Sequence, residues 1–335
     1  MFNPRRVIFE ERALNYELGN SILEEFKDKK LEILYSKNGR ITGIPGKTNS
    51  EMYFEGKSTL VVGVRKNLNF ATCKPSAHYQ LPIASGCNGM CEYCYLNTQM
   101  GKKPYVKIYV NIDEILQRTQ EYIDERKPNI TIFEGAATSD PIPVEYYSRS
   151  LKNSIEFFGN NELGRFRFVT KFTDIDTILG LRHNGNTTVR FSINTDRIIN
   201  AYEHNTTAVI ERITAAKKLY IDGYKIGFII APVFLYEGWE EEYGSLINLI
   251  ALKFPRGNIT FEVISHRFTK RAKENIINIF SKTTLPMDEE ARKFKFGQFG
   301  YGKYIYPDEK MKLLKNFFKS KLLEKFEENS INYII

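Results

Sequence analysis

The chain reads as an α/β protein in which strands alternate with amphipathic helices around a parallel sheet, closed or partly closed into a barrel. Three observations predict this. From about residue 81, short apolar runs of strand length recur between stretches with a helical period. The intervals between them are long enough for a crossover helix, which parallel strands require. The 335 residues are 42% hydrophobic and 13% aromatic, with 24 Phe and 20 Tyr, so a large core can be filled.

Taken in order, residues 1–80 read as an N-terminal accessory region. Its first element is a helix from Ser21 through Leu34, with Ser21 as cap and Glu24 completing a capping box. A turn at Lys37-Asn38-Gly39-Arg40 follows, then a short strand from Ser58 to Arg65. Residues 81–285 hold the barrel. Its predicted strands are Tyr105 to Val110, Ile130 to Phe133, Arg167 to Thr170, Thr188 to Ile193, Tyr224 to Ile230 and Thr260 to Val263. Predicted helices fall between several of them: Asp113 to Arg126, Pro143 to Phe158, Thr206 to Leu219 and Trp239 to Leu252. In such a fold the chemistry belongs at the carboxyl ends of the strands. Residues 286–335 depart from the rhythm: Lys293 to Pro307 alternates basic or polar with aromatic residues around three glycines, a β-hairpin, and Asp308 to Glu328 follows as a charged helix.

Charge and composition narrow the function. Lys and Arg outnumber Asp and Glu by 48 to 40, a net charge of +8 that suits a phosphate backbone without establishing one as partner. No apolar run approaches the roughly 20 residues that cross a bilayer, and Met1-Phe-Asn-Pro-Arg-Arg-Val has no signal-like apolar stretch. The expectation is a cytoplasmic protein without a membrane partner. Of four cysteines three are clustered, which argues against a disulfide framework.

That cluster is Ser85-Gly-Cys87-Asn-Gly-Met-Cys91-Glu-Tyr-Cys94-Tyr. Three thiolates can hold three corners of a 4Fe-4S cube and leave the fourth iron open to another ligand. A zinc site completed by His78, or plain buried cysteines, are the alternatives. The CxxxCxxC spacing with Tyr93 before its last cysteine resembles the signature of the radical S-adenosylmethionine superfamily. The likeness extends through Cys73-Lys-Pro-Ser-Ala-His-Tyr, Glu134-Gly-Ala-Ala-Thr-Ser-Asp-Pro, Phe168-Val-Thr-Lys-Phe-Thr, Arg190-Phe-Ser-Ile-Asn, Gly227-Phe-Ile-Ile-Ala-Pro-Val and the tail hairpin. Within the superfamily these segments resemble the spore photoproduct lyase family over about residues 70–310.

The resemblance implies a partial (βα)6-type barrel with S-adenosyl-L-methionine chelated to the open iron of a cluster held by Cys87, Cys91 and Cys94. The implied reaction reverts 5-thyminyl-5,6-dihydrothymine in DNA to two thymines: a deoxyadenosyl radical takes the C6 hydrogen, the methylene bridge breaks, and a protein thiol quenches the thymine radical. The alternative is another radical S-adenosylmethionine enzyme acting on a non-DNA substrate. Many family members carry the donor cysteine where this chain has Ala137, so the remaining Cys73 becomes the candidate donor, against a plain role as a small buried side chain. Tyr95 is the expected radical relay. Tyr93 is expected mainly to wall the cofactor site. Lys171, Ser192 and Ser139 are expected to hold S-adenosyl-L-methionine, and Lys303, Tyr304, Tyr301 and Lys295 of the hairpin to contact duplex DNA while the lesion is extruded. The basic run His266-Arg267-Phe-Thr-Lys270-Arg271 would extend that surface. A one-electron reductant such as flavodoxin or ferredoxin and a monomeric state complete the expectation.

Overall fold

The N-terminal residues build a sheet of their own. In this computed structural model, which describes residues 1–37, 39–254, 258–297, 300 and 302–335, four strands run parallel in the order Glu32–Ser36, Arg6–Glu10, Thr59–Gly63 and Val106–Tyr109, with Ala84–Ser85 antiparallel at the edge. Helices Glu17–Lys27 and Asn49–Lys57 link the first three. The sequence expectation differs here in three places. The first helix begins at Glu17, so Ser21 lies inside it and caps nothing, while Glu32 to Leu34 leaves the helix to become strand. The capping box belongs to the next helix, where Thr48 and Glu51 bond each other's backbone. The strand expected to open the barrel series, Val106–Tyr109, pairs instead with Thr59–Gly63.

This sheet is part of one compact unit, Met1–Gly89 with Gln99–Val189. The unit also carries four strands in the order Thr72–Cys73, Ala77–Gln80, Thr131–Glu134 and Gly164–Thr170, the last three parallel. Helix Ile112–Asp124 turns Ile115, Leu116, Thr119, Tyr122 and Ile123 inward at helical spacing, and Phe133, Phe158 and Phe166 stack beneath the sheet. The single helix expected over Pro143 to Phe158 is divided: Arg149, at φ 51°, separates Glu145–Ser148 from Ser150–Gly159.

The second unit comprises Met90–Thr98 and Arg190–Ile335. Strand Thr187–Ile193 crosses into it and heads the order Thr187–Ile193, Lys225–Val233, Ile259–Ser265 and Ile331–Ile334. Helices Val209–Ile221 and Trp239–Lys253 match the expected crossovers. The tail helix is Asp308–Leu323, and the C-terminal residues add a parallel strand that sequence reasoning left unassigned. No helix among the described residues is long and apolar enough to cross a membrane.

Candidate metal centre and active site

Cys87 sits on a loop that is fixed from both sides. Gly86 precedes it at φ 78°, and a Cβ there would come within 2.2 Å of the Tyr105 carbonyl oxygen, so only glycine fits. Its N–H donates to Thr138 O at 2.8 Å, and its backbone bridges that of Ser139. On the other side, the Lys57 ammonium, with 1% of the residue exposed, donates to Cys87 O at 2.7 Å and Gly89 O at 2.9 Å. No carboxylate among the described residues pairs with it. The Lys57 ammonium also lies 5.4 Å from the Tyr53 ring centre; a buried ammonium held by carbonyls and a ring face is favoured by negative charge nearby, which thiolates bearing an iron-sulfur cube would supply. The Gly89 N–H lies 3.3 Å from the Cys87 sulfur, as expected where a sulfur carries charge. The thiol of Cys87 and its surroundings therefore fit a ligand of such a cluster.

The same backbone leads to two expected cofactor contacts. Next to Ser139, buried Asp140 accepts from the Lys171 N–H at 2.9 Å and the Ile142 N–H at 3.3 Å, which ties the Ser139 loop to the strand end bearing Lys171. Burial pushes the Asp140 carboxyl up to about 6 against the pull of these hydrogen bonds. Cys73 is half-buried on a strand paired with Ala77–Gln80. Behind it, Ser76 donates to the Glu134 carboxylate at 3.3 Å, and the Ala136 N–H reaches the other oxygen of that carboxylate at 3.3 Å. Glu134 thus joins the turn after Cys73 to the loop that carries Ala137.

In the second unit Cys91 is buried in the short strand Met90–Cys91, paired antiparallel with Glu203–His204. The Cys94 N–H donates to Cys91 O at 3.2 Å, closing a tight turn, and Asn97 holds the same carbonyl at 3.0 Å. Tyr93 is half-buried; its hydroxyl donates to Glu203, which pairs with Arg212 at 2.8 Å, the Glu203 and Arg212 side chains both fully buried. Arg212 then donates to Ser192 O at 2.9 Å. Burial, with Glu203 beside it, raises the Tyr93 phenol well above its usual range and keeps it protonated. Tyr95 is 53% exposed. One polar chain therefore connects the last cysteine's neighbour to Ser192.

The hairpin forms as expected, Lys293–Phe296 against Gly302–Ile305. Lys295 and Lys303 stand directly opposite, and burial with Arg267 and Lys295 nearby lowers the Lys303 ammonium. Like charges facing each other destabilise a ladder unless an anion joins them. Tyr304 is packed on Phe268, centroids 5.2 Å apart at 20°, with two backbone hydrogen bonds between these residues. Among the described residues, the rings exposed on the hairpin are Phe294 at 51% and Phe296 at 72%. Tyr301 lies outside the described residues. His266 does not extend the basic run: it is buried between Phe234 and Phe268, and burial lowers it to about 3, so the cations begin at Arg267.

Lys57, Asp140, Glu203 and Arg212 were not singled out from sequence. Asp140, next to Ser139, had a local signal; the others reach their partners across the chain and gave none. His78, the zinc alternative's fourth ligand, accepts the Ile132 N–H at 2.9 Å through Nδ1. No three His, Cys, Asp or Glu among the described residues are grouped to hold a single metal ion.

Parallel strands with crossover helices and a three-cysteine loop define the class, a radical S-adenosylmethionine enzyme of lyase type. A family model described as spore photoproduct lyase matches residues 2–335, and the chain belongs to that family. The spore photoproduct lyase of Clostridium acetobutylicum is 58% identical over 331 residues, 99% of this chain and 98% of that one. That of Bacillus subtilis is 44% identical over 336 residues, again 99% and 98%. A solved spore photoproduct lyase, a mutant with one cysteine changed to alanine and one serine to cysteine, with bound AdoMet and dinucleoside spore photoproduct, is 44% identical. It superposes with a TM-score of 0.95, covering 100% of this chain and 99% of its own. A second, complexed with dinucleoside spore photoproduct alone, gives 0.94 at 43% identity. The expected α/β fold with a curled partial barrel is that of these structures, and the family's reaction is repair of the spore photoproduct.

Proposed function

We propose that this chain reverts the spore photoproduct in DNA to two thymines using a 4Fe-4S cluster on Cys87, Cys91 and Cys94, with Cys73 as hydrogen donor. When bound, the cluster and S-adenosyl-L-methionine supply, on one-electron reduction by a flavodoxin or ferredoxin, the deoxyadenosyl radical that removes the C6 hydrogen. The observation that carries the reading is the Cys87 loop, bonded through Gly86 to the Ser139 segment and balanced by buried Lys57.

The chain's own residues take the remaining work. Lys171 pairs with the methionyl carboxylate, while Ser139 and Ser192, each fixed through its backbone, orient the amino-acid part and ribose. After the methylene bridge breaks, the Cys73 S–H gives its hydrogen atom to the thymine radical, and Tyr95 refills the thiyl on the way back to deoxyadenosine. The solved mutant that loses a cysteine to alanine and gains one from serine makes the same kind of exchange as the Ala137 and Cys73 of this chain. Lys295 and Lys303 hold phosphates of the duplex, Tyr304 stiffens the hairpin from behind, and Phe294 and Phe296 wedge beside the extruded lesion.

Cys73→Ala tests the donor. Dinucleoside photoproduct should still be consumed anaerobically, with product diverted from thymine to radical adducts; an unchanged thymine yield would remove Cys73 from the mechanism.

A further inference from the structure

The N-terminal sheet has a binding geometry unrelated to the cysteine loop. From Arg6–Glu10 the chain moves outward to Glu32–Ser36 on one side, then returns to Thr59–Gly63 on the other, with all three strands parallel. The strand order therefore reverses between Arg6–Glu10 and Thr59–Gly63. In open parallel sheets the connections part at such a point, and the crevice outside the carboxyl ends of the strands is where ligands bind.

A cleft of about 260 Å³ lies there, lined by Glu10, Arg65, Lys66, Asn67, Lys107 and Tyr109 among others. Its floor is set. The Glu10 carboxylate is 4% exposed, takes the Val64 N–H at 3.2 Å and is ion-paired with Lys107. The pair rests against Gly63, where a Cβ would lie 2.7 Å from both the Glu10 carboxyl and the Lys107 side chain. Glu10 is thus neutralised from below and adds little repulsion toward an anion above it.

The rim is cationic. Arg65 is held in place by Asn111, which accepts its N–H at 2.8 Å, and its Nε donates to Asn67 O at 2.9 Å, leaving the rest of the guanidinium fork for a ligand. The Arg65 guanidinium also lies 5.8 Å from the Tyr109 ring centre. The Lys66 ammonium and a Glu10 carboxylate oxygen each lie 3.6 Å from where a Cβ on Gly39 would sit, so a larger residue at 39 would fill the opening. Among the described residues no carboxylate pairs with Arg65 or Lys66. Two uncompensated cations on ordered backbone, over a neutral floor with one aromatic wall, match a phosphate carried on a sugar better than a carboxylate or an apolar group.

We propose that the cleft at the carboxyl ends of Arg6–Glu10 and Thr59–Gly63 binds a phosphate monoester or diester through Arg65 and Lys66. The phosphate belongs either to a free nucleotide or to a DNA strand outside the lesion. The site is separate from the repair chemistry, so loss of either leaves the other measurable.

The full chain is titrated with inorganic phosphate, AMP and a lesion-free duplex, as wild type, as Lys66→Glu and as Arg65→Ala/Lys66→Ala; both positions are solvent-accessible. If the source is a nucleotide, both variants lose AMP affinity by about tenfold or more and the duplex is bound as before. If the source is DNA, the slope of log affinity against log salt for the duplex falls by about 2 in the double variant. In either case dinucleoside photoproduct repair stays at the wild-type rate. Phosphate and AMP affinities, duplex affinity and salt slope all equal among the three proteins would overturn the proposal.

Discussion

Glu203→Gln is the substitution whose consequence follows most directly from the structure. The carboxylate is fully buried, paired with equally buried Arg212 at 2.8 Å, and accepts the Tyr93 hydroxyl. Arg212 keeps three other acceptors, Ser192 O, Thr207 O and Thr206 Oγ1, and so cannot turn toward water. Glutamine preserves the shape but strands the guanidinium charge. Breaking a buried pair by removing one charge costs about 3–5 kcal/mol; because glutamine still offers Tyr93 and Arg212 a neutral acceptor, the lower figure applies, about 3 kcal/mol. Against a total stability of about 5–15 kcal/mol this is large, and for a chain of 335 residues it corresponds to a fall in melting temperature of roughly 4 °C. The charge-free double variant Glu203→Gln/Arg212→Met should recover part of the loss, since no unpaired charge remains. Because Arg212 also fixes the Ser192 carbonyl, the KM for S-adenosyl-L-methionine should rise more than kcat falls. Chemical denaturation of wild type, Glu203→Gln, Arg212→Met and the double variant measures the first claim and anaerobic cofactor-cleavage kinetics the second. A loss under about 0.5 kcal/mol for Glu203→Gln, or a double variant no better than the sum of the singles, would refute the reasoning.

Three other outcomes are expected. Lys57→Met leaves the Cys87 and Gly89 carbonyls without their donor and removes the charge beside the cysteine loop, so reconstituted protein should hold clearly less iron than wild type while Lys66→Glu holds the full amount. His266, neutral when folded and lowered to about 3, binds a proton in the unfolded chain from its ordinary value near 6.5; its share of stability is present above that pH and is lost as pH falls toward 3, on the order of 5 kcal/mol in all. His266→Phe should flatten that part of the acid unfolding profile measured by circular dichroism. Phe296→Ala should reduce repair of the lesion in duplex DNA several-fold and lower the dinucleoside rate much less, because the ring is 72% exposed and a wedge acts mainly on extrusion from the duplex.

Local patterns in the sequence were legible where local chemistry decides the outcome. The spacing of Cys87, Cys91 and Cys94, the alternating hairpin, and helices such as Trp239–Lys253 follow from neighbours a few residues apart. Pairing choices were not. Val106–Tyr109 reads as any buried strand, and nothing in it says that Thr59–Gly63 will take it rather than the barrel. Glu32–Ser36 continues the helical spacing of the segment before it, and only a place beside Arg6–Glu10 makes it a strand. The final Ile331–Ile334 is short and apolar, and pairs with Ile259–Ser265 some seventy residues earlier. At the site, the cysteines carried recognisable spacing, whereas Glu203 and Arg212 acquire meaning only once Tyr93 and Ser192 are brought to them. Tyr304 was expected to face DNA; Phe268 packs against it, and among the described residues Phe294 and Phe296 are the exposed rings of the hairpin.

Deuterium at C6 of a dinucleoside spore photoproduct, followed during anaerobic turnover, asks directly whether this chain repairs by a radical made on its three-cysteine cluster. Label should appear in the adenosyl carbon of recovered S-adenosyl-L-methionine as thymine forms, and Cys87→Ala should abolish both. Thymine produced with no label in the cofactor, or at an undiminished rate in Cys87→Ala, would contradict the account.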